Sequence, residues 1–305
     1  IVGQSLELLL FVFRGQISIK GSISFLSVNA VFYKGFWLFL YNGLFYLIMF
    51  STSSFVSTFY SVSDYGKYSF AYSLAHSIFL FLEAFGYIVF PKIIQKLKGN
   101  DFDECKVVIC TIRNSYLTIV HGLVYLAFPI FYLLCMMMPQ YSNMLRMLCI
   151  ASLTILPYVN AFGLNTFLMA QNKEKTIAII SFASFIMNIL FLFLFIQILH
   201  FPYDLILLAT MISYVLFTLL CSFFMLKIVG ESRCFALMLK TAFPVRISIP
   251  YVIALCIVLL FSKEMCFMLL FIPLLVFISL NRDLLRETMR MMVRLIKKPE
   301  IVDLK

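Results

Sequence analysis

The chain has 305 residues, of which 63% are hydrophobic and 12% charged, with a net charge of +10 and a mean hydropathy of +1.02. Soluble domains carry roughly 25% charged residues and about half apolar ones. A soluble fold of this length could not bury so much apolar surface, so the composition excludes a soluble globular protein and indicates one whose solvent is lipid.

Apolar segments long enough to cross a membrane follow one another along the chain. A helix needs about 20 apolar residues to span roughly 30 Å of hydrocarbon. We predict an all-α fold, a polytopic transmembrane helix bundle, in which the last two spans are short and form a tight hairpin or a less regular pair. The predicted spans are residues 1–13 (partial), 36–59, 70–91, 114–138, 142–170, 176–199, 205–226, 247–261 and 265–281.

The sequence begins IVGQSLELLL, with no basic segment ahead of its apolar stretch. A signal peptide has such a segment. We therefore expect the sequence to begin partway along a longer protein.

Lys and Arg are concentrated in alternate segments between these spans. The basic-rich segments are 14–35, 92–113, 171–175, 227–246 and the tail after 281. Cytoplasmic loops carry most of the Lys and Arg in membrane proteins, so one topology with a cytoplasmic C-terminus explains the pattern. Because the charges lie at helix ends along one membrane face, they do not indicate a nucleic-acid-binding protein.

The C-terminal tail carries two stripes with helical spacing. Its basic and apolar stripes are Arg282, Arg286, Arg290 and Arg294, and Leu285, Met289, Met292 and Ile296. Such a helix is typical of one that lies on an anionic membrane surface. The alternative is an ordinary basic tail that only enforces the topology.

Polar side chains within the spans are the candidate functional residues, because a charge in the bilayer is costly unless it faces water or a partner. Glu83 lies about 20 Å into its span at a rise of 1.5 Å per residue. His76 and Tyr87 share its helical face. This stripe predicts a polar cavity or an ion-coupling site, and the alternative is a protonated Glu83 with a purely structural hydrogen bond.

Four other polar side chains within spans are weaker candidates. We expect His121 to have a packing role and Arg146 to reach the interface. Asn160 and Asn188 are expected to form hydrogen bonds between helices, and Pro157 is expected to kink its helix.

No sequence pattern of a catalytic or metal site is present. The chain has no HExxH, no GxSxG, no Gly-rich phosphate loop, and its eight cysteines show no metal-ligand clustering. We therefore predict that the protein is not an enzyme and has neither a metal site nor a cofactor.

Four short segments, DYGKY (64–68), FPKI (90–93), NTFLMAQNK (165–173) and MNIL (187–190), carry a family resemblance. With them, residues 36–190 resemble the polysaccharide-transporter flippases, the Wzx-type O-antigen and capsule exporters of the MATE-like flippase superfamily. The resemblance implies two six-helix lobes around a central cavity, often with two added C-terminal helices.

On this resemblance, the chain is the second lobe of a MATE-like transporter with the two extra helices. The implied segments are a partial span (1–13), a cytoplasmic inter-lobe linker (14–35), a six-helix lobe (36–226), an additional transmembrane pair (247–281) and a cytoplasmic basic amphipathic tail (282–305).

The implied function is translocation of an undecaprenyl-pyrophosphate-linked oligosaccharide across the bacterial cytoplasmic (inner) membrane, for O-antigen, lipopolysaccharide or other surface polysaccharide synthesis. The implied partners are membrane lipids, the lipid-linked oligosaccharide and the polysaccharide polymerase machinery. One alternative is a MATE-like exporter of another solute. The other is a membrane polysaccharide polymerase or ligase, although such an enzyme is expected to have a sizeable outer loop, and the predicted outer loops are short and nearly uncharged.

Overall fold

The computed structural model describes residues 25–77, 102–231, 234–261 and 266–297. Within these ranges the chain is almost entirely helical and contains no strand. The helices are α1 (Phe25–Phe59), α2 (62–77), α3 (Phe102–Met137), α4 (Leu145–Val159), α5 (Leu164–Ala170), α6 (Glu174–Phe193), α7 (Leu207–Val229), α8 (Phe235–Ala242), α9 (Val245–Leu260), α10 (Phe267–Leu280) and α11 (Arg282–Lys297).

Five helical segments of the described chain are long and apolar enough to cross a membrane. They are Val31–Phe59, Cys110–Met137, Leu145–Ala170, Glu174–Ile198 and Tyr203–Val229. Two further pairs, α8 with α9 and α10 with α11, pass the same test only together and are bent by 76°, so the number rises to seven only where each bent pair counts as one span. The prediction of an all-α polytopic bundle is confirmed. Of the other predicted spans, 1–13 and most of 70–91 lie outside the described residues.

Two predicted loops contain helix. The loop expected at 92–113 is helical from Phe102 onward, and the loop expected at 227–246 contains α8. Helix α7 ends at Val229 and is followed by Gly230, whose φ of +79° lies in the left-handed region that favours glycine. Helix α8 ends just before Pro244, because a proline disfavours helical geometry in the residue before it.

The helices pack in a continuous order around α4. Helix α1 packs against α6, α6 against α7, α7 against α4, α4 against α3, and α3 against α10, which in turn contacts α9. The segment Leu145–Ala170 is the most buried of the five spans, at 83% of its apolar stretch, whereas Val31–Phe59 is 28% buried. Helix α4 therefore forms the centre of the bundle, and α1 lies at its periphery.

Contacts between helix ends define their directions. Lys175, at the start of α6, lies over Trp37 of α1, and Asn188 further along α6 bonds to Ile48 further along α1, so these two helices run parallel. Arg113 of α3 reaches Asn160, just after α4, so α3 and α4 run antiparallel. We call the end of the bundle that holds Trp37, Arg113 and Lys175 the basic end. Helix α1 begins at this end, as the predicted topology requires.

The central helix α4 is interrupted shortly after Pro157. Helix α4 ends at Val159 and α5 begins at Leu164, after a turn in which Gly163 has a φ of +84°. The Thr218 hydroxyl donates a hydrogen bond to the Pro157 carbonyl oxygen at 2.6 Å. A backbone break at membrane depth requires such substitute partners, because lipid offers none.

Candidate polar cavity

A cavity of about 80 Å³ lies between α1, α2, α4 and α7, near the middle of the α1 span. This volume is enough for several water molecules, since one needs roughly 10–15 Å³ measured in the same way. Its aromatic and polar lining comprises Phe45, Tyr46, Tyr72, Tyr158 and Tyr214, and Asn42, His76, Thr154 and Thr210.

The aromatic rings of the lining are ordered by contacts with one another. Phe45 stacks on Tyr214 with the ring centroids 5.0 Å apart and an angle of 5° between the planes. Phe45 also lies 4.1 Å from the Tyr158 ring centroid. Rings from α1, α4 and α7 thus form one aromatic wall of the cavity.

His76 lies in the wall that α2 contributes. Its ring stacks on that of Tyr72, one turn earlier, with the centroids 5.8 Å apart and an interplanar angle of 14°. Glu83 and Tyr87, the other two members of the predicted stripe, lie outside the described residues. The structure thus places one of the three leading candidates at a cavity.

Asn42 is the most informative member of the lining. It is exposed near the middle of α1, and Tyr46, one turn later, is 64% exposed. An amide group in hydrocarbon is costly unless it has hydrogen-bond partners. This edge of the cavity therefore requires water or a further polar partner.

A polar cluster connects the cavity wall to α6. The Asn188 side-chain nitrogen lies 3.2 Å from the Ile48 carbonyl oxygen, 3.1 Å from the Ser51 hydroxyl and 3.2 Å from the Thr52 hydroxyl. The Thr52 hydroxyl is 2.8 Å from that of Thr210, which lines the cavity. Asn188 therefore bonds to a neighbouring helix, as predicted, and does not line the cavity itself.

His121 and Asn160 lie together in a separate buried cluster. His121 Nε2 is 3.2 Å from Asn160 Oδ1, and His121 Nδ1 is 3.0 Å from the Tyr125 hydroxyl. Because the amide oxygen is an acceptor, Nε2 carries the proton, and a neutral ring accepts the Tyr125 proton at Nδ1. The His121 ring also stacks on Phe277 with the centroids 6.3 Å apart. These contacts describe a packed, hydrogen-bonded histidine away from the cavity.

Arg113 is a buried cation that the sequence did not single out. The side chain is only 6% exposed, and its guanidinium donates to the Asn160 carbonyl at 2.8 Å and to the Ala242 carbonyl at 2.8 Å. Asn160 follows the last residue of α4, and Ala242 is the last residue of α8. The C-terminal ends of helices carry partial negative charge, so they favour a cation there.

Arg146 forms an ion pair at the opposite end of the bundle. Its Nη1 atom lies 3.2 Å from a carboxylate oxygen of Asp204, and both side chains are mostly buried, at 22% and 17% exposure. Nearby, the Tyr60 hydroxyl donates to the Phe201 carbonyl at 2.6 Å. Partial burial raises the pKa of Tyr60, and the charge of Asp204 adds to that effect. Arg146 is thus a link between α4 and the segment before α7.

Most of the lining was missed from the sequence because Tyr and Phe are frequent throughout this chain. Two signals were present. Asn42 is a lone amide in an apolar span, and Tyr72 precedes His76 by one helical turn and so shares its face. Arg113 carried no such signal, because it lies where a cytoplasmic loop was expected.

No protein-family model, no curated protein and no solved structure matches this chain. The fold and the site therefore define a class only: a multi-pass, all-helical membrane protein with a small polar and aromatic cavity.

Proposed function

We propose that this chain belongs to a flippase that moves a lipid-linked oligosaccharide across the bacterial cytoplasmic membrane during surface polysaccharide synthesis. The observation that carries the proposal is the cavity at mid-span, whose lining joins aromatic rings to amide, hydroxyl and imidazole groups. A transported solute must leave water and meet substitute partners inside the membrane, and such a cavity supplies them.

The chemistry of the lining favours the sugar portion of the substrate. Within the described residues, the cavity lining contains no Lys or Arg to bind a pyrophosphate. Tyr46, which is 64% exposed, offers aromatic surface to the apolar face of a sugar ring, while the Asn42 amide forms hydrogen bonds with sugar hydroxyls. The proposal therefore assigns sugar contacts to this wall of the cavity.

The same observation supports a second candidate, a MATE-like exporter of another solute. An uncharged aromatic lining also fits a neutral or aromatic small molecule. Substrate assays separate the two candidates, because a small-molecule exporter lowers the accumulation of its solute in cells that make no polysaccharide.

Deletion of the gene tests the proposed function. We expect the cell to lose long surface polysaccharide and to accumulate lipid-linked repeat units on the cytoplasmic side of the membrane. Leaflet-specific labelling of those units distinguishes the remaining alternative. Units that reach the outer leaflet and stay unpolymerised would indicate a polymerase or ligase and contradict the flippase.

A further inference from the structure

Two helices, α8 and the strongly amphipathic α11, turn away from their apolar neighbours at the basic end. Helix α8 makes an angle of 76° with α9, and the segment Arg282–Arg290 of α11 makes an angle of 76° with α10. Where α9 and α10 run across the bilayer, helices that turn this far from them lie nearly in the membrane plane, where amphipathic helices such as α11 bind.

The two helices are at the same end because α9 and α10 are antiparallel neighbours. The Asn281 side chain, at the end of α10, donates a hydrogen bond to the Arg246 carbonyl in the first turn of α9 at 3.0 Å. The helix before α9 and the helix after α10 therefore leave the bundle at the same end.

Buried contacts fix both helices to the bundle. Arg113 donates to the Ala242 carbonyl at 2.8 Å, and the Ser222 hydroxyl donates to the Met238 carbonyl at 3.0 Å, which together hold α8. On α11, Leu285 packs against the main hydrophobic core and Thr288 is buried. Because these contacts hold each helix in place, they also determine which of its side chains are exposed.

The exposed faces combine basic and apolar side chains. Lys240 and Arg246 on one segment and Arg282, Arg286 and Arg290 on the other are exposed. The acidic residues of segments 234–246 and 281–290 are Asp283 and Glu287, so five basic and two acidic groups leave a net charge of +3. Among the apolar side chains, Phe235 is 65% exposed, Leu239 43% and Met289 67%.

We propose that α8 and the first half of α11 form one binding surface for the headgroups of anionic phospholipids. We call this surface, residues 234–246 and 281–290, the lipid collar. The exposed Phe235, Leu239 and Met289 enter the acyl region, and the arginine and lysine side chains reach the phosphates at the membrane surface. The collar is independent of what the protein transports.

Lipid selectivity of the purified protein tests the collar. The whole chain is reconstituted in bilayers with spin-labelled phosphatidylglycerol or phosphatidylcholine, and electron paramagnetic resonance gives the relative association constant of the two lipids. We expect a preference for phosphatidylglycerol. The triple variant Arg282→Gln, Arg286→Gln, Arg290→Gln should lower it by roughly tenfold or more, since each surface cation contributes about fivefold.

Two controls distinguish a built surface from total charge. Lys67→Gln removes one charge at the opposite end, where Asp64 lies 3.6 Å away, and should change the preference less than Arg286→Gln does. Asn281→Ala removes no charge but breaks the hydrogen bond that links the start of α11 to α9, and it should lower the preference several-fold while the melting temperature shows that the protein is folded.

Three results would overturn the proposal. The first is that the unmodified protein shows no preference for phosphatidylglycerol, which would assign the surface to a protein partner. The second is that Lys67→Gln and Arg286→Gln lower the phosphatidylglycerol preference equally. The third is that Asn281→Ala is folded and keeps the full preference.

Discussion

At the scale of single residues, the polar groups of this protein divide into those that hold helices together and those that face the cavity. Arg113, His121 and Asn160 belong to the first group, because each has its partners within one buried cluster. Asn42 and His76 belong to the second group, because both line the cavity. The two groups respond differently to substitution.

Arg113→Leu should destabilise the protein strongly. The variant leaves the Asn160 and Ala242 carbonyls without their donor, and each unsatisfied buried group costs about 1–3 kcal/mol. We therefore expect a loss of about 3 kcal/mol in the free energy of unfolding, measured by denaturant titration in detergent. Arg113→Lys should lose less, because an ammonium group keeps the charge but not the planar geometry that reaches both carbonyls.

Lys173→Gln is the matched control for Arg113. Lys173 is an exposed cation at the same end of the bundle. Exposed substitutions usually change stability by less than about 0.5 kcal/mol. An Arg113→Leu variant as stable as this control would contradict the assigned role.

Asn42→Leu should leave the protein folded and lower transport several-fold. Leucine removes the hydrogen-bonding group at the cavity edge, while an apolar residue at this depth is compatible with the bilayer. Transport is measured by complementation, and protein level by membrane blotting. Phe39→Leu is the control, since Phe39 is one turn earlier, 75% exposed and not part of the lining. Full transport by Asn42→Leu would show that Asn42 does not contribute to the path.

Glu83 remains a prediction from the sequence alone. A carboxyl group about 20 Å into a span has a partner, access to water or a proton. We expect Glu83→Gln to insert normally and lower transport, and Glu83→Leu to lower it at least as much in the same complementation assay. Normal transport by both variants would exclude a role in the cavity or in coupling, and loss of the protein from the membrane would indicate a structural role.

At the scale of elements, the bent helix pairs decide which segments meet at each end of the bundle. The ends of α7 and α10 and the starts of α3 and α9 converge through Ser222, Asn281 and Arg113. At the other end, the Tyr60 hydroxyl bonds to the Phe201 carbonyl and Asp204 pairs with Arg146. The alternating Lys and Arg counts predict that the first of these ends is cytoplasmic.

Cysteine labelling tests this topology in a background without native cysteines. Single cysteines at Lys240 and Arg286 should react with a membrane-impermeant maleimide only after the cells are opened. Single cysteines at Ser61 and His200 should react in intact cells. All four positions lie outside the five apolar spans. Labelling of Lys240→Cys in intact cells would reverse the proposed orientation.

At the scale of the whole molecule, the single tryptophan reports how the bundle sits in the bilayer. Trp37 lies six residues into the Val31–Phe59 span, or about 9 Å along the helix. Lys175 Nζ lies 5.5 Å from its ring centroid, and a lysine at the basic end reaches the interface. Lipids brominated near the headgroup should therefore quench its fluorescence more than lipids brominated near the chain ends. The opposite order would place the basic end inside the hydrocarbon.

Composition and hydrophobic pattern alone determined the fold class of this protein. In lipid the backbone must satisfy its own hydrogen bonds, so long apolar segments such as 176–199 can only be helices. The position of each apolar segment therefore predicts the position of its helix along the chain. The same reasoning located α11 from its arginine spacing. It also identified Asn188 as a contact between helices.

Only the tertiary structure decided which polar residues meet. Asn42, Tyr72, Tyr158 and Tyr214 come from four helices, and nothing in their local spacing joins them into one lining. Arg113 was expected in a loop because a positive charge near a span end marks the cytoplasmic side. Its burial depends on two carbonyls 47 and 129 residues further along the chain. The local order of apolar and polar residues indicates whether a segment lies in lipid or in water. It does not indicate partners that are distant in sequence, because these come together only when the helices pack.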